Sequence, residues 1–315
     1  MSTIKDILTK YHQKIDYLDL ELLIAHELKK SREFVLAHPE HVLTTNQKLQ
    51  TTNLIKRRRR GEPLAYILEH KEFFGLDFKV NQHTLVPRPE TELLVELALL
   101  ELPASTRGNG RSSTRGGQTT NHKLLTSVID VGTGSGNIIV SLACNMKHGT
   151  HNKINLFGTD ISSEALKVAK QNAKLHKVDK KIKFLRGDLL DPILKTTNYK
   201  LNLAYRQAGT TNLLILANLP YLSKEIYAAT APTVKKYEPK SALYSAQVGL
   251  AHYAKLLKQI KELTTNHQLR TTNFLEISPE QKLPLTKLIK LSFPQAKIDF
   301  FRDLAGRWRI CKISR

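Results

Sequence analysis

Apolar residues at Ile4, Ile7, Leu8, Tyr11 and Ile15 recur every three to four positions, and Leu18, Leu22 and Ala25 continue the stripe after a break. That spacing places them on one face of a helix. Residues 1 to about 85 therefore read as mainly helical, and the absence of glycine before Gly61 suits a helical bundle. From Phe73 to Val80 the period shortens to two, which predicts a strand in a hairpin with Thr84-Leu85-Val86, ended by Pro87 and Pro89. Glu90 to Leu100 reads as a helix with acidic residues in its first turn.

Beyond Leu124 the pattern alternates. Strands are expected near 126–131, 154–160, 182–186, 213–217, 274–277, 296–301 and 308–313, and helices near 137–147, 162–176, 250–263 and 279–291. Alternation of this kind predicts a mostly parallel sheet covered on both faces. Only Arg302 to Arg307 separate the last two strands, too few for a helical crossover, so that pair should be antiparallel. Thr-Thr-Asn recurs at Thr44, Thr51, Thr119, Thr196, Thr210, Thr264 and Thr271, with irregular spacing that excludes a solenoid. With the Ser-Thr-Arg-Gly pair at Ser105 and Ser113, these copies read as polar insertions in loops or at element edges.

Composition narrows the class. With 41% apolar and 24% charged residues the chain is globular, and 315 residues suffice for two domains. It has no apolar run of about 18 residues, so no membrane span or membrane partner is expected. Its first residues lack the layout of a secretory signal, and two lone cysteines, Cys144 and Cys311, fit a reducing cytoplasm rather than a disulfide framework. The twelve histidines show no metal-ligand spacing. The net charge of +21 favours polyanionic surroundings such as RNA or the ribosome, although a lysine-rich composition without specific contacts gives the same number. The run Lys56-Arg57-Arg58-Arg59-Arg60 before Gly61 reads equally as a nucleic-acid contact or as a cationic helix end with its glycine cap.

The candidate chemistry begins at Val128-Ile129-Asp130-Val131-Gly132-Thr133-Gly134-Ser135-Gly136-Asn137, a β-branched run entering a glycine-rich turn and then a helix. Glycines let the backbone turn tightly and approach a ligand. Asp160 ends the next strand about 24 residues past Gly136, where a ribose-binding carboxylate belongs in a doubly wound fold; capping the following helix is the plainer role. Asn218-Leu219-Pro220-Tyr221 closes the strand near 213–217. A nucleoside site followed by Asn-x-Pro-Tyr at a strand end points to methyl transfer onto a planar nitrogen. Arg88 reads most simply as a surface partner of Glu90 or Glu92, and Tyr66 and Trp308 as core or interface aromatics.

In order along the chain, Gly61-Glu62-Pro63-Leu64-Ala65-Tyr66-Ile67, Phe74-Gly75-Leu76, Pro87-Arg88-Pro89-Glu90-Thr91-Glu92, Asp130–Gly136, Asp160, Asn218–Tyr221, Leu275-Glu276-Ile277 and Asp303-Leu304-Ala305-Gly306-Arg307 resemble the PrmC/HemK family of glutamine methyltransferases, which modify peptide chain release factors. The proline-rich hexad is the most specific of these. The resemblance implies a class I S-adenosylmethionine-dependent methyltransferase, a Rossmann-like α/β fold with a seven-stranded sheet and an N-terminal helical bundle. It divides the chain into a substrate-binding domain at 1–72, a connecting hairpin at 73–86 and a methyltransferase domain at 87–315. The cofactor implied is S-adenosyl-L-methionine, lined by Gly132, Thr133, Gly134, Ser135, Gly136 and Asn218, with Asp160 on the ribose and Asp188 and Leu189 by the adenine. The implied partner is a release factor, methylated on the glutamine of its Gly-Gly-Gln motif.

A glutamine amide nitrogen is a poor nucleophile, because its lone pair is delocalised. The side chain of Asn218 and the carbonyl of Leu219 are expected to accept its N–H hydrogens, with Pro220 shaping the turn and Tyr221 offering a ring face. Positioning should do most of the work, and no general base is nominated. The chain departs from the family at Leu219, where proline is usual and φ is now free, and at Val248, where an acidic residue is usual. Asn-Leu-Pro-Tyr is also the form in rRNA adenine dimethyltransferases. An rRNA or DNA adenine N-methyltransferase is therefore the alternative, with a ribosomal-protein glutamine methyltransferase and a non-catalytic binding protein behind it.

Overall fold

The computed structural model describes residues 2–102, 125–146, 154–195, 212–267 and 270–315. Its N-terminal part is a small helical bundle. A short ribbon of β1 (Ser2–Thr3) and β2 (Val42–Leu43) ties together α1 (Ile4–Tyr11), α2 (Tyr17–Leu28), α3 (Arg32–Ala37), α4 (Thr45–Arg59) and α5 (Leu64–Leu68). Capping boxes start two of these helices, Thr3 with Asp6 and Thr44 with Gln47. Ile4, Ile7, Tyr11 and Ala25 of the predicted stripe join Leu20, Leu23, Ile24 and Ile55 in the bundle's core, whereas Leu8, Ile15 and Leu22 are only partly buried and Leu18 is exposed, so α2 turns a different face inward. The arginine run closes α4, with Arg58 paired to Asp19 at 2.5 Å and Arg57 to Glu62 at 2.6 Å, and Gly61 follows at φ 84.

The hairpin lies earlier than expected. It is formed by β3 (His70–Phe73) and β4 (Leu76–Lys79), and 84–86 is not a strand. Phe74 and Gly75 occupy its two-residue turn with φ of 54 and 71, the left-handed pair that a tight hairpin requires. A one-turn 3-10 segment at Pro89–Thr91 then leads into α6 (Glu92–Glu101).

The remainder alternates as predicted. The order is β5 (Leu125–Val131), α7 (Asn137–Cys144), β6 (Asn155–Asp160), α8 (Ser163–Leu175), β7 (Ile182–Arg186), α9 (Asp191–Leu194), β8 (Asn212–Ala217), α10 (Lys224–Ala229), α11 (Pro232–Tyr237), α12 (Ala246–Gly249), α13 (Ala251–His267), β9 (Arg270–Glu276), α14 (Lys282–Ser292), β10 (Lys297–Arg302) and β11 (Trp308–Ser314). The seven strands lie in the spatial order β10-β11-β9-β8-β5-β6-β7. Strands β5 to β9 pair in parallel and β10 runs the same way; β11 alone runs opposite, antiparallel to both β9 and β10, and the short final connection demands its pairing with β10. This is the class I methyltransferase arrangement.

Both faces of the sheet are buried. Ile129, Ile215, Leu275 and Ile313 pack with α13 and α14 on one side, while Val128, Leu214, Phe274 and Ile310 pack with α6 and α7 on the other. Two Thr-Thr-Asn copies are not surface insertions. Thr51 to Asn53 lie inside α4 with Thr51 buried, and Thr271 to Asn273 lie inside β9 with Thr271 and Asn273 buried. Threonine suits a pleated strand, and register with two neighbours overrides its polarity there. Thr44 caps α4 and Thr264 sits in the last turns of α13. The copies at Thr119 and Thr196, Thr210 and Thr211 of a third, and the pair at Ser105 and Ser113 lie outside the described residues, while Asn212 opens β8.

Candidate functional site

Strand order reverses beside β5, since β6 and β7 run off to one side and β8 and β9 to the other. Ligand crevices of open α/β sheets form at such switch points, outside the carboxyl ends of the strands. The register shows what meets there. Val131 pairs with Thr159 on β6 and Ala217 on β8, and Ala217 pairs with Leu275 on β9. One residue further on, Asp160, Gly132, Asn218 and Glu276 form a single row across four strand ends. A cleft of about 800 Å³ opens along this edge, walled by the glycine loop, Asp160 to Ser162, Asp188-Leu189, Asn218 to Pro220, the 82–91 segment and the starts of the 239–244 and 251–255 segments.

On the β6 side the backbone does the building. Gly132, Gly134 and Gly136 have φ of 72, 54 and 80, conformations that side chains disfavour. A Cβ on Gly132 would stand 2.9 Å from Leu219 Cδ2, and one on Gly136 would stand 3.1 Å from Ala169 Cβ. The Gly132 and Thr133 amides both donate to the Thr159 carbonyl at 2.9 Å. Asp160 then joins two loops: Gly134 N donates to Oδ2 at 2.9 Å and Ser162 N to Oδ1 at 2.8 Å. Burial lifts its carboxyl above the usual range against those bonds. The cap of α8 is Ser162, not Asp160. Under the loop, the Thr133 hydroxyl donates to Asp130 Oδ2 at 2.6 Å. Burial pushes the Asp130 carboxyl up to about 7, while the bonds from Thr133 and Ile139 pull it down. Asn172, also buried, donates to the Ser135 carbonyl at 2.8 Å and exchanges bonds with the Lys79 backbone, so the hairpin braces the loop.

Asp188 and Leu189 reach the cleft on a turn where Leu189 has φ 54. Lys255 Nζ donates to Asp188, and Gln259 ties the turn from behind, accepting from Leu190 N at 3.0 Å. His252, on the same wall, meets Ser245 Oγ at 2.9 Å through Nδ1.

Side chains build the β8 side. Asn218 Nδ2 donates to Thr91 Oγ1 at 3.1 Å. Leu219 is buried in the core cluster of the sheet, and its amide hydrogen-bonds the hydroxyl of the fully buried Tyr253, which in turn donates to the Glu276 carbonyl. Pro220 lines the cleft, whereas Tyr221 is not among the lining residues; its hydroxyl is pushed up to about 12, chiefly by burial. Arg88 lines the cleft too, but its partner is Glu238 at 2.6 Å rather than Glu90 or Glu92; Glu92 accepts from Phe74 N instead. Trp308 is a partly buried aromatic flanked by two cations, Lys282 Nζ at 3.6 Å and Arg302 at 4.2 Å from its ring centre. Residues 1–72 reach this half of the molecule through Tyr237, whose hydroxyl donates to the Arg60 carbonyl at 3.3 Å.

Four residues of this site, Thr91, Asp130, His252 and Glu276, were not singled out as functional from the sequence. Thr91, Asp130 and Glu276 sit inside motifs named above; the missing signals were the register that sets Glu276 beside Asn218 and the hydrogen bond that brings Thr91 to it. Among the described residues no cluster of His, Cys, Asp and Glu could hold a metal, and no helix is long and apolar enough to cross a membrane.

Residues 3–68 match the PrmC N-terminal domain family, and residues 122–265 match a methyltransferase domain family. The chain is similar to the release factor glutamine methyltransferase of Dictyoglomus turgidum, 33% identical over 94% of this chain and 90% of that protein. It is similar to the protein of the same name from Rhodopirellula baltica, 30% identical over 98% of this chain and 93% of that one. Among solved structures, a methyltransferase from Pyrococcus furiosus is 16% identical with a TM-score of 0.43, over 84% of this chain and 98% of that one.

Proposed function

Because the chain belongs to the release factor glutamine methyltransferase family, we propose that it methylates the side-chain nitrogen of the glutamine in the Gly-Gly-Gln motif of peptide chain release factors. It is an S-adenosylmethionine-dependent enzyme. The residues fit that cofactor. Gly132, Thr133, Gly134 and Ser135 line the cleft, while Gly136 does not and instead lets the loop pack closely on Ala169 of α8. Each oxygen of Asp160 accepts one backbone N–H, so lone pairs stay available for ribose hydroxyls. Asp188 and Leu189 are assigned to the adenine end. When bound, the cofactor supplies a methyl group on a sulfonium, an already activated electrophile.

The chain's own contribution is placement. The observation that carries the reading is the Asn218 amide, held at the cleft wall with Nδ2 engaged by Thr91, so its acceptor end is left for a substrate N–H. The Leu219 carbonyl is assigned the second N–H. Two acceptors fix the plane of a glutamine amide and favour positive charge developing on its nitrogen. Pro220 holds the turn. Tyr221 backs the loop from behind rather than stacking on the substrate. Residues 1–72 are assigned to holding the protein substrate, with the hairpin at 73–86 and the methyltransferase domain from 87. Such a substrate puts the enzyme in the cytoplasm, and a charge of +21 suits work near ribosomal RNA.

The test is methyl transfer from labelled cofactor to a purified release factor, beside one whose Gly-Gly-Gln glutamine is replaced, with mass spectrometry of the peptide. Label on that glutamine alone is expected. Label on rRNA instead, with substrate affinity falling steeply as salt rises, would overturn the reading in favour of a nucleic-acid enzyme.

A further inference from the structure

An asparagine amide has two unlike ends, since Oδ1 only accepts and Nδ2 only donates. Which end faces the cleft decides whether Asn218 can receive a substrate N–H. Nothing in the geometry of the amide itself makes that choice; its partners do. Nδ2 donates to Thr91 Oγ1 at 3.1 Å. Thr91 is 1% exposed, and its side chain hydrogen-bonds the carboxyl of Glu276, also 1% exposed. A threonine hydroxyl holds a single hydrogen, and an ionised carboxylate has none. The chain of bonds therefore runs one way. Glu276 accepts from Thr91, Thr91 accepts from Asn218, and Asn218 turns Oδ1 to the cleft.

We infer that Glu276 and Thr91 are positioning residues for methyl transfer: a buried, acceptor-only group on β9 dictates, through one hydroxyl, which end of the Asn218 amide meets the substrate nitrogen. This rests on the reading of Asn218 as an acceptor for the substrate amide. It also gives a common purpose to two motifs with no assigned role, the Thr91 of the proline-rich hexad and the Leu275-Glu276-Ile277 strand end. A neutral group at 276 removes the direction. The Thr91 hydroxyl is then free to donate to Asn218, whose flipped amide would set N–H against N–H.

The surroundings of Glu276 make the direction responsive to acid. Arg309 and Arg88 favour its ionised form, Glu90 opposes it, and the hydroxyls of Tyr221 and Tyr253 lie close by. Burial is the strongest influence and pushes the carboxyl up to about 7. Its Oε2 has no hydrogen-bond partner among the described residues.

The experiment compares the full-length enzyme with Glu276→Gln, Thr91→Val and Thr91→Ser, in steady-state transfer to a release factor across pH 6 to 8.5. Cofactor affinity is measured by calorimetry alongside. Glu276→Gln keeps the volume and an acceptor but loses the direction; Thr91→Val keeps the shape but loses the hydroxyl. Both are expected to lower kcat on the order of 10²-fold at pH 8, the scale for losing one oriented group at a reacting centre, with cofactor affinity unchanged. Thr91→Ser should recover most of that loss. Wild-type kcat should rise through about pH 7, and Glu276→Gln should lose that rise. An active wild type with an equally active Glu276→Gln, rising with pH in the same way, overturns this inference alone. A wild type that labels no release factor overturns the functional reading and this inference with it.

Discussion

The β6 side of the cleft is made almost wholly of backbone, with three glycines at positive φ and a carboxylate that accepts two main-chain amides. The β8 side is made of side chains drawn from Arg88, Thr91, Asn218, Glu238 and Glu276, positions as much as 188 residues apart (Arg88 to Glu276), linked by hydrogen bonds and one ion pair. The first half is carried mainly by one contiguous run of sequence, pinned from outside by Thr159, Asp160 and Asn172. The second forms only after the sheet has set its register. Cofactor binding and substrate orientation should therefore fail separately, and each substitution below tests how cleanly the two halves divide.

The largest effect is expected at Asp160→Ala. It removes the ribose acceptor and strands two backbone amides, and hydrogen bonds to charged groups are worth about 1.5–3 kcal/mol each. Calorimetry should find cofactor affinity lower by on the order of 10³-fold; unchanged affinity would remove Asp160 from the site. Next comes Asp130→Asn. The folded-state carboxyl of Asp130 titrates near 7, above its ordinary value of 3.8. The folded chain thus holds a proton that the unfolded chain has released, and stability present below pH 4 is lost as pH rises to 7. An asparagine at this position does not titrate and has no such loss. Urea unfolding should show the variant gaining on wild type by on the order of 3 kcal/mol between pH 4 and 8, and parallel pH curves would contradict the assignment.

Gly132→Ala crosses the boundary between the halves, because its Cβ would press on Leu219. A strained φ and a forced neighbour should cost roughly 1–3 kcal/mol and lower kcat as well as cofactor affinity. Gly134→Ala has φ 54 but no atom closer than 4.0 Å, so thermal melts should show the smaller loss there. The smallest effect lies outside both halves. Val248 is exposed and β-branched, yet sits at φ 57. Val248→Gly should stabilise the fold by about 1 kcal/mol, seen as a higher melting temperature, with cofactor affinity unmoved.

The same division explains what could be read from the sequence. The glycine loop, Asp160 and the seven strands were legible because each is announced by contiguous residues, and most predicted strands match within a residue or two. The hairpin was misplaced because its turn is Phe74-Gly75; a phenylalanine at positive φ gives none of the Asn-Gly or Asp-Gly signal that marks such turns. Two Thr-Thr-Asn copies were misassigned because tertiary packing overrode local polarity in α4 and β9. Arg88 was given a neighbour in sequence when its partner is 150 residues away. Thr91 and Glu276 were visible as letters in motifs, but their meeting at Asn218 depends on the pairing of β8 with β9.

Leu219, where the family usually carries proline, changes what can be exchanged in this protein. A leucine keeps its amide hydrogen, and that hydrogen is given to the Tyr253 hydroxyl. Proline has none to give. Returning position 219 to proline would stiffen the turn but take one donor from a buried phenol, which would keep its own hydrogen on the Glu276 carbonyl. The turn has traded the stiffness of a ring for a hydrogen bond into the core, and restoring the family's usual residue would reverse that exchange rather than simply improve the loop.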